Sequence, residues 1–274
     1  MLGGNKVISL KERLALTIRF LATGETYRSL SYQFRISTRA ISYIIKEVCE
    51  AIIKNMRNIY LKVPSSPEEW LTVAEKFESR WQFPNCIGAM DGKHTVMQPP
   101  GNSGSYYYNY KHTNSIILMA VAGPNYECLY YDIGTNGRVN EGGVWNKCGL
   151  GKALEEGKMN LPLPCCLPGG NEQVPYVLIG DDAFALKPYL MKPYAQQSLV
   201  AEKRVYNYRY NRARCLSENL FGILANRWRF MRNVLLLHQD VIEILVSAAL
   251  VLDNFLRESD AYCLTGLLAT ESHG

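Results

Sequence analysis

No run in this 274-residue sequence approaches the ~20 uninterrupted apolar residues that a membrane-spanning helix needs. The opening Met1-Leu2-Gly3-Gly4-Asn5-Lys6 lacks the apolar segment of a secretory signal, which argues against secretion. Eight cysteines are present, but none falls in a C-x-x-C pair, and the adjacent Cys165-Cys166 lacks the spacing of a zinc knuckle. They read as reduced thiols of an intracellular protein, mostly packing residues. Internal repeats and low-complexity tracts are also missing. What remains is ordinary globular material: 47% hydrophobic and 20% charged residues, enough for one large domain and a small appended one.

The net charge of +5 is mild but unevenly placed. Residues 1–60 carry ten basic groups against four acids, so the rest of the chain is slightly acidic. That bias favours a polyanionic partner for the N-terminal segment; a solvated basic helical face is the plain alternative.

Periodicity predicts three helices before residue 60. Leu14, Leu16, Ile18, Phe20 and Leu21 mark the first, which Thr23-Gly24 ends. Thr26 can cap a short second helix, and Ser37 a third with Ile41, Ile44, Ile45, Val48 and Ile52 on one face. The third would expose Arg39 and Lys46, as in a helix-turn-helix, although its turn lacks the usual glycine. A small bundle that only packs on the main domain is the alternative.

After Pro64-Ser65-Ser66-Pro67 and one more helix, the pattern changes to strands at Cys86–Met90, 115–122 and 127–133. A helix near 143–156, a buried strand at 176–180 and helices near 207–226 and 238–257 complete the order βββαβα. This is an α/β chain with the order of a ribonuclease-H-like mixed sheet, in which the first and fourth strands lie side by side.

Three acids fall at telling places in that order. Asp91 ends the run Cys86-Ile87-Gly88-Ala89-Met90, and Asp181 ends Tyr176-Val177-Leu178-Ile179-Gly180. Each has a plain reading, Asp91-Gly92 as a turn and Asp181-Asp182 as a helix cap. Two carboxylates brought together at strand ends, however, need a cation to be tolerated. At about 100° per residue, Glu218 faces away from the apolar stripe of its helix and lies beside Arg214. An exposed i−4 ion pair is its plain reading. Glu141, by itself an ordinary loop acid, follows the third strand and can reach the same face.

At these residues the chain resembles the Harbinger transposase-derived nucleases, a DDE-superfamily endonuclease group related to PIF/Harbinger transposases. The blocks are Ala89-Met90-Asp91-Gly92-Lys93-His94, then Gly180-Asp181-Asp182-Ala183-Phe184-Ala185-Leu186, then Arg214 through Leu224 around Glu218. Tyr108-Asn109-Tyr110-Lys111 and Leu190-Met191-Lys192-Pro193-Tyr194 also look like family landmarks. In three places the chain departs from the family. Glu141 stands where the family usually has Asp, Ala185 replaces a proline, and Asp253 replaces a histidine in Leu252-Asp253-Asn254-Phe255-Leu256.

The resemblance implies a metal-dependent DNA endonuclease. Asp91, Asp181 and Glu218 would be catalytic and, with Glu141, would hold Mg²⁺ or Mn²⁺, ions suited to hard oxygen ligands. Lys93 and Arg214 would neutralise the phosphate, and Arg39 and Lys46 would contact DNA. It also implies a nuclear setting, with the cytoplasm as a second location, and a separate Myb-like partner protein. The expected division is a helical, helix-turn-helix-like DNA-binding region at 1–63, a linker helix at 64–84, a nuclease domain at 85–258 and a tail at 259–274. The rival reading is a catalytically inactive DNA-binding or protein-interaction module.

Overall fold

Ser9 opens the described structure with a capping box: its hydroxyl accepts from the Glu12 N–H, and the Glu12 carboxylate accepts from the Ser9 N–H. The computed structural model describes residues 7–271 except 196 and 198, with side chains as far as residue 259. Helix α1 (Leu10–Thr23) stops at Gly24, whose φ of 69° is left-handed and whose N–H donates to Phe20 O. A side chain at Gly24 would also lie 2.6 Å from Asn233 Nδ2, so two independent constraints favour glycine there.

Thr26 caps α2 (Tyr27–Phe34), and the Ser37 hydroxyl accepts from Ala40 N–H at the start of α3 (Thr38–Tyr60). Between them Arg35 adopts φ 55°, so an arginine makes the left-handed turn that a glycine would usually make. Helices α1 and α2 pack on α3 through its buried Ile41, Ile44, Ile45, Cys49 and Ile52.

The chain forms two compact units, residues 1–60 with 223–274, and residues 61–222. In the first unit the terminal helix α8 (Gln239–Glu271) packs on α3, so the units cut across the linear order of segments. Asn254 Nδ2 donates to Tyr60 O at 2.8 Å, and Tyr60 meets Phe255 edge to face. Helix α8 runs past residue 257, where the apolar period suggested its end. No described helix is long and apolar enough to cross a membrane.

The second unit is mixed α/β. Helix α4 (Pro67–Trp81) buries Trp70, Val73, Ala74 and Phe77 and packs on strand β1 (Cys86–Val96). Strands β2 (Ser115–Ala122) and β3 (Cys128–Asn136) follow, then short helices α5 (Glu141–Lys147) and α6 (Gly149–Glu155). A single helix was expected over this last stretch. Cys148 breaks it by adopting extended backbone, ending α5 and capping α6 with its Sγ, which accepts from Gly151 N–H.

A two-residue ribbon, β4 (Cys165–Cys166) with β5 (Gln173–Val174), precedes β6 (Val177–Ile179), β7 (Leu190–Met191) and α7 (Ala201–Arg227). The main sheet has the order β3-β2-β1-β6-β7, antiparallel among β1–β3 and parallel at β6 and β7. Every residue of β2 is buried, which makes it the centre of the antiparallel half. Among the described residues seven cysteines are free thiols; the side chain of Cys263 lies outside them.

Candidate metal centre

Asp91 does not end its strand. The Asp-Gly pair suggested a turn, but β1 pairs with β2 from Ala89↔Ala122 to Val96↔Ser115, so Asp91 sits mid-strand opposite Ala120. Its neighbour on the other side is shorter. Parallel pairing of β1 with β6 ends at Ala89↔Ile179. Asp91 lies two residues past that pair on one strand and Asp181 two past it on the other. In-register parallel strands therefore bring both carboxylates out at the same level, beyond the end of β6.

The segment carrying Asp181 is held from beneath. The buried Tyr210 hydroxyl of α7 accepts from Gly180 N–H at 2.9 Å and donates to the carbonyls of Gly180 and Met191. Asp181 Oδ1 in turn accepts from Ala183 N–H at 2.9 Å. Nothing in the local sequence pattern marks Tyr210, because its partners come from β6 and β7.

Glu141 comes from a third element. The sequence placed it in a loop; it is the first residue of α5, because Asn140 caps that helix by accepting from Gly143 N–H at 2.7 Å. Its side chain lies against Gly92, where a Cβ would come within 2.7 Å of Glu141 Cγ and Cδ. Glycine at position 92 is thus what lets the third carboxylate approach β1.

Asp91, Glu141 and Asp181 each offer an oxygen, and all three lie within 4.8 Å of one another. Burial pushes the Asp91 carboxyl up to about 6; the nearby Asp181 and Glu218 add to this, while Gly92 N–H and Arg214 oppose it. Burial likewise pushes Glu141 up to about 7, with Asp91 and Asp181 adding to it and Lys111 opposing it. Two acids whose carboxyls are pushed up by burial and by neighbouring charge, with a third oxygen ligand from Asp181 beside them, are a donor set of hard oxygens suited to a divalent cation.

Glu218 stands apart from this trio. It is near enough to Asp91 to raise its pKa, but its carboxylate pairs with Arg214 at 2.7 Å and is about half exposed. Arg214 is placed beside Asp181, lining a small pocket with Asn211 and Tyr194. Lys93 lies on the same face of β1 as Asp91, with Nζ 5.8 Å from the centroid of Phe221 on α7. Burial pushes its pKa down, Lys111 adds to the shift, and Asp91 opposes it. Arg39 and Lys46 belong to the first unit, on α3: Arg39 is exposed and Lys46 lies 3.8 Å from Glu50.

A cavity of about 740 Å³ lies elsewhere in the second unit. It is lined by Phe83, Val177, Val205 and Tyr206 among others and contains none of these acids. Size therefore does not identify the chemistry here; the convergence of carboxylates does.

Comparison with known proteins agrees with this geometry. The sequence profile of a family described as DDE superfamily endonuclease matches residues 90–254. Protein ALP1-like of Arabidopsis thaliana is 27% identical over 234 residues, 83% of this chain and 55% of that protein. Protein Antagonist of Like Heterochromatin Protein 1, also of Arabidopsis thaliana, is 24% identical over 231 residues, 84% of this chain and 58% of that protein. The chain thus spans little more than half the length of these curated relatives. No solved structure matches it. Asp91, Glu141, Asp181 and Glu218 all fall inside the matched residues, which make up more than half of the chain: it belongs to the DDE superfamily endonuclease family.

Proposed function

We propose that the chain is a metal-dependent DNA endonuclease of transposase descent, built on a ribonuclease-H-like core. One observation carries this reading: carboxylates from mid-β1, from the segment after β6 and from the start of α5 converge with oxygens within 4.8 Å. The parallel β1–β6 pair beside an antiparallel β1–β3 meander supports the fold assignment.

Asp91, Glu141 and Asp181 would hold Mg²⁺ or Mn²⁺. When bound, such ions supply Lewis-acid activation of a water or 3′-hydroxyl and of the leaving 3′-oxygen. The chain's own residues do the rest. Arg214 offers a planar guanidinium to a phosphate that reaches the pocket beside Asp181. Once that phosphate engages Arg214, Glu218 loses its ion-pair partner and becomes available as a fourth carboxylate. Lys93, half-buried and without a carboxylate of its own among the described ion pairs, adds charge on the same face.

The test is nicking of supercoiled DNA in Mg²⁺ or Mn²⁺ by wild type and by Asp91→Asn. Metal-dependent nicking that disappears in the variant is the expected result; nicking that persists in Asp91→Asn would remove the carboxylates from the mechanism.

In the first unit, α2 and α3 are assigned to DNA as a helix-turn-helix-like element, with Arg39 and Lys46 on phosphates. The Lys46–Glu50 pair is exposed and weak, so it leaves the ammonium free to exchange partners. Replacing Arg39 and Lys46 with alanine is expected to lower the slope of log K against log salt by about 2, at roughly 0.9 for each phosphate no longer neutralised. An unchanged slope in a filter-binding titration returns α3 to a packing role. On this reading the protein would work in the nucleus, where a Myb-like partner would assist target binding.

A second reading is favoured by one relative, named as an antagonist of like heterochromatin protein 1. A non-catalytic DNA-binding or protein-interaction module would keep the fold without cleavage. Salt-sensitive DNA binding with no nicking in either metal is the outcome that selects it.

A further inference from the structure

Two stretches that the sequence singled out, 108–111 and 190–194, contribute no carboxylate, yet each holds a tyrosine beside the metal centre on a buried asparagine. Asn109 organises the first. Its Oδ1 accepts from the N–H groups of Lys111 and Thr113 at 2.9 and 3.1 Å, and its Nδ2 donates to Ser115 Oγ at 2.8 Å. This displays Tyr110, 72% exposed, in T-shaped contact with His94 and with Lys111 Nζ 5.3 Å from its ring centroid. Because Ser115 Oγ already accepts from Asn109, its own proton can go to His94 Nδ1, 2.8 Å away. The neutral imidazole then carries its proton on Nε2, a donor for a ligand.

Asn207 does the same for the second stretch. Its Oδ1 accepts from Tyr194 N–H at 2.9 Å, and its Nδ2 donates to Tyr194 O at 2.8 Å. Tyr194 keeps 46% of its surface exposed, steadied by edge-to-face contact with Tyr206.

Asp181 lines two pockets. One, of about 300 Å³, is shared with His94, Tyr110, Arg138 and Glu141. The other, of about 180 Å³, is shared with Tyr194, Asn211 and Arg214. Each therefore combines an exposed ring on a fixed backbone, an arginine and the same metal-centre acid. Spaces of this size admit a base or a sugar-phosphate but not a duplex.

We propose that the two pockets form a cradle for one unpaired strand of DNA, which crosses Asp181 with a base against Tyr110 on one side and a base against Tyr194 on the other. Rigid aromatic faces bind unpaired bases without regard to sequence, and the flanking cations neutralise the backbone. The phosphodiester between the two bases then lies over the carboxylates. The choice of DNA as the strand rests on the nuclease reading; the cradle itself rests on the pockets.

A 12-nucleotide single-stranded DNA containing 2-aminopurine, titrated in Ca²⁺ to avoid cleavage, tests the proposal. Wild type is expected to bind and quench the probe, and Tyr110→Ala and Tyr194→Ala each to bind about tenfold more weakly with less quenching. Tyr106→Ala, also exposed but outside both pockets, should match wild type. Unchanged stabilisation of both variants by Mn²⁺ would show that they keep the fold and the metal centre. Equal binding by wild type and both tyrosine variants overturns the cradle, as does tighter binding of the matching RNA or duplex. Nicking by wild type alongside equal binding leaves the nuclease reading standing without the cradle. Absence of nicking with the expected binding pattern does the reverse.

Discussion

Saturating Mn²⁺ is expected to raise the melting temperature of the wild-type protein by roughly 5–10 °C at pH 7.5, and to leave that of Asp91→Asn almost unmoved. A ligand at 100 times its dissociation constant stabilises by about 2.7 kcal/mol, and each kcal/mol is worth roughly 2–4 °C in a chain of comparable size. The reason to expect this lies in the metal-free state. Asp91 and Glu141 have folded pKa values raised to about 6 and about 7, from ordinary values of 3.8 and 4.5. A carboxyl whose pKa is raised by folding contributes stability that is complete below its unfolded pKa. That contribution is lost as pH rises through the folded value.

Metal-free protein should therefore be most favoured by this pair below about pH 4 and lose that benefit between pH 4 and pH 7. For Asp91 alone the loss is on the order of 2–3 kcal/mol. A divalent ion restores it at neutral pH and is displaced by protons near pH 5, so the Mn²⁺ effect should vanish there. Asp91→Asn, with one charge fewer, should be more stable than metal-free wild type at pH 7.5. Gly92→Ala is the complementary probe, because its Cβ would occupy the space of the Glu141 side chain. It should keep the fold and lower Mn²⁺ affinity at least tenfold. Calorimetric scans in EDTA and in Mn²⁺ from pH 4 to 7.5 decide the matter: equal Mn²⁺ increments in wild type and Asp91→Asn would remove the trio as the metal centre.

The elements that carry the site were legible where one local signal sufficed. Apolar runs located β1, β2 and β6, and Thr26 and Ser37 marked two of the helix starts, because burial and capping act on neighbours in sequence. Asp91 and Asp181 were found through the same runs. What they do relative to each other was not, since it depends on β1 outlasting β6 in register. The Asp-Gly pair also pointed to a turn that pairing with β2 overrides.

Glu141 was assigned to a loop because Asn140 as an N-cap is recognisable only once the helix boundary is known. The Arg214–Glu218 pair followed from i−4 spacing, but its separation from the trio depends on how α7 lies against the sheet. Asn109 and Asn207 were invisible as organisers. An asparagine that satisfies a distant backbone leaves no periodic trace.

Asp253 shows the same limit, and it supports the second large effect: Asp253→Ala is expected to cost about 3–5 kcal/mol, enough to lower the melting temperature by roughly 10 °C. From the sequence this residue was only a departure, an acid where the family has histidine. In the structure its side chain is 1% exposed on α8 and is held between two arginines. Arg227 Nη1 donates to Oδ1 at 2.5 Å, and Arg257 Nε donates to Oδ2 at 2.8 Å. Burying a carboxylate is tolerable only with such partners, and removing it strands two partly buried guanidinium groups. Arg257 is already short of partners, since its buried Nη2 has none among the described residues.

Truncation of either arginine alone should cost less, because each is more exposed than the acid and the other remains to pair with it. Replacing Asp253 and Arg257 together with leucine and methionine should recover much of the loss, as buried ion pairs exchanged for packed apolar groups often do. Urea titrations followed by far-ultraviolet circular dichroism would measure these four variants against the wild type. A loss below about 1 kcal/mol for Asp253→Ala would mean that the acid is solvated in solution. A loss of the expected size with no recovery in the double variant would mean that this part of α8 depends on this one geometry of charge, and not on volume alone.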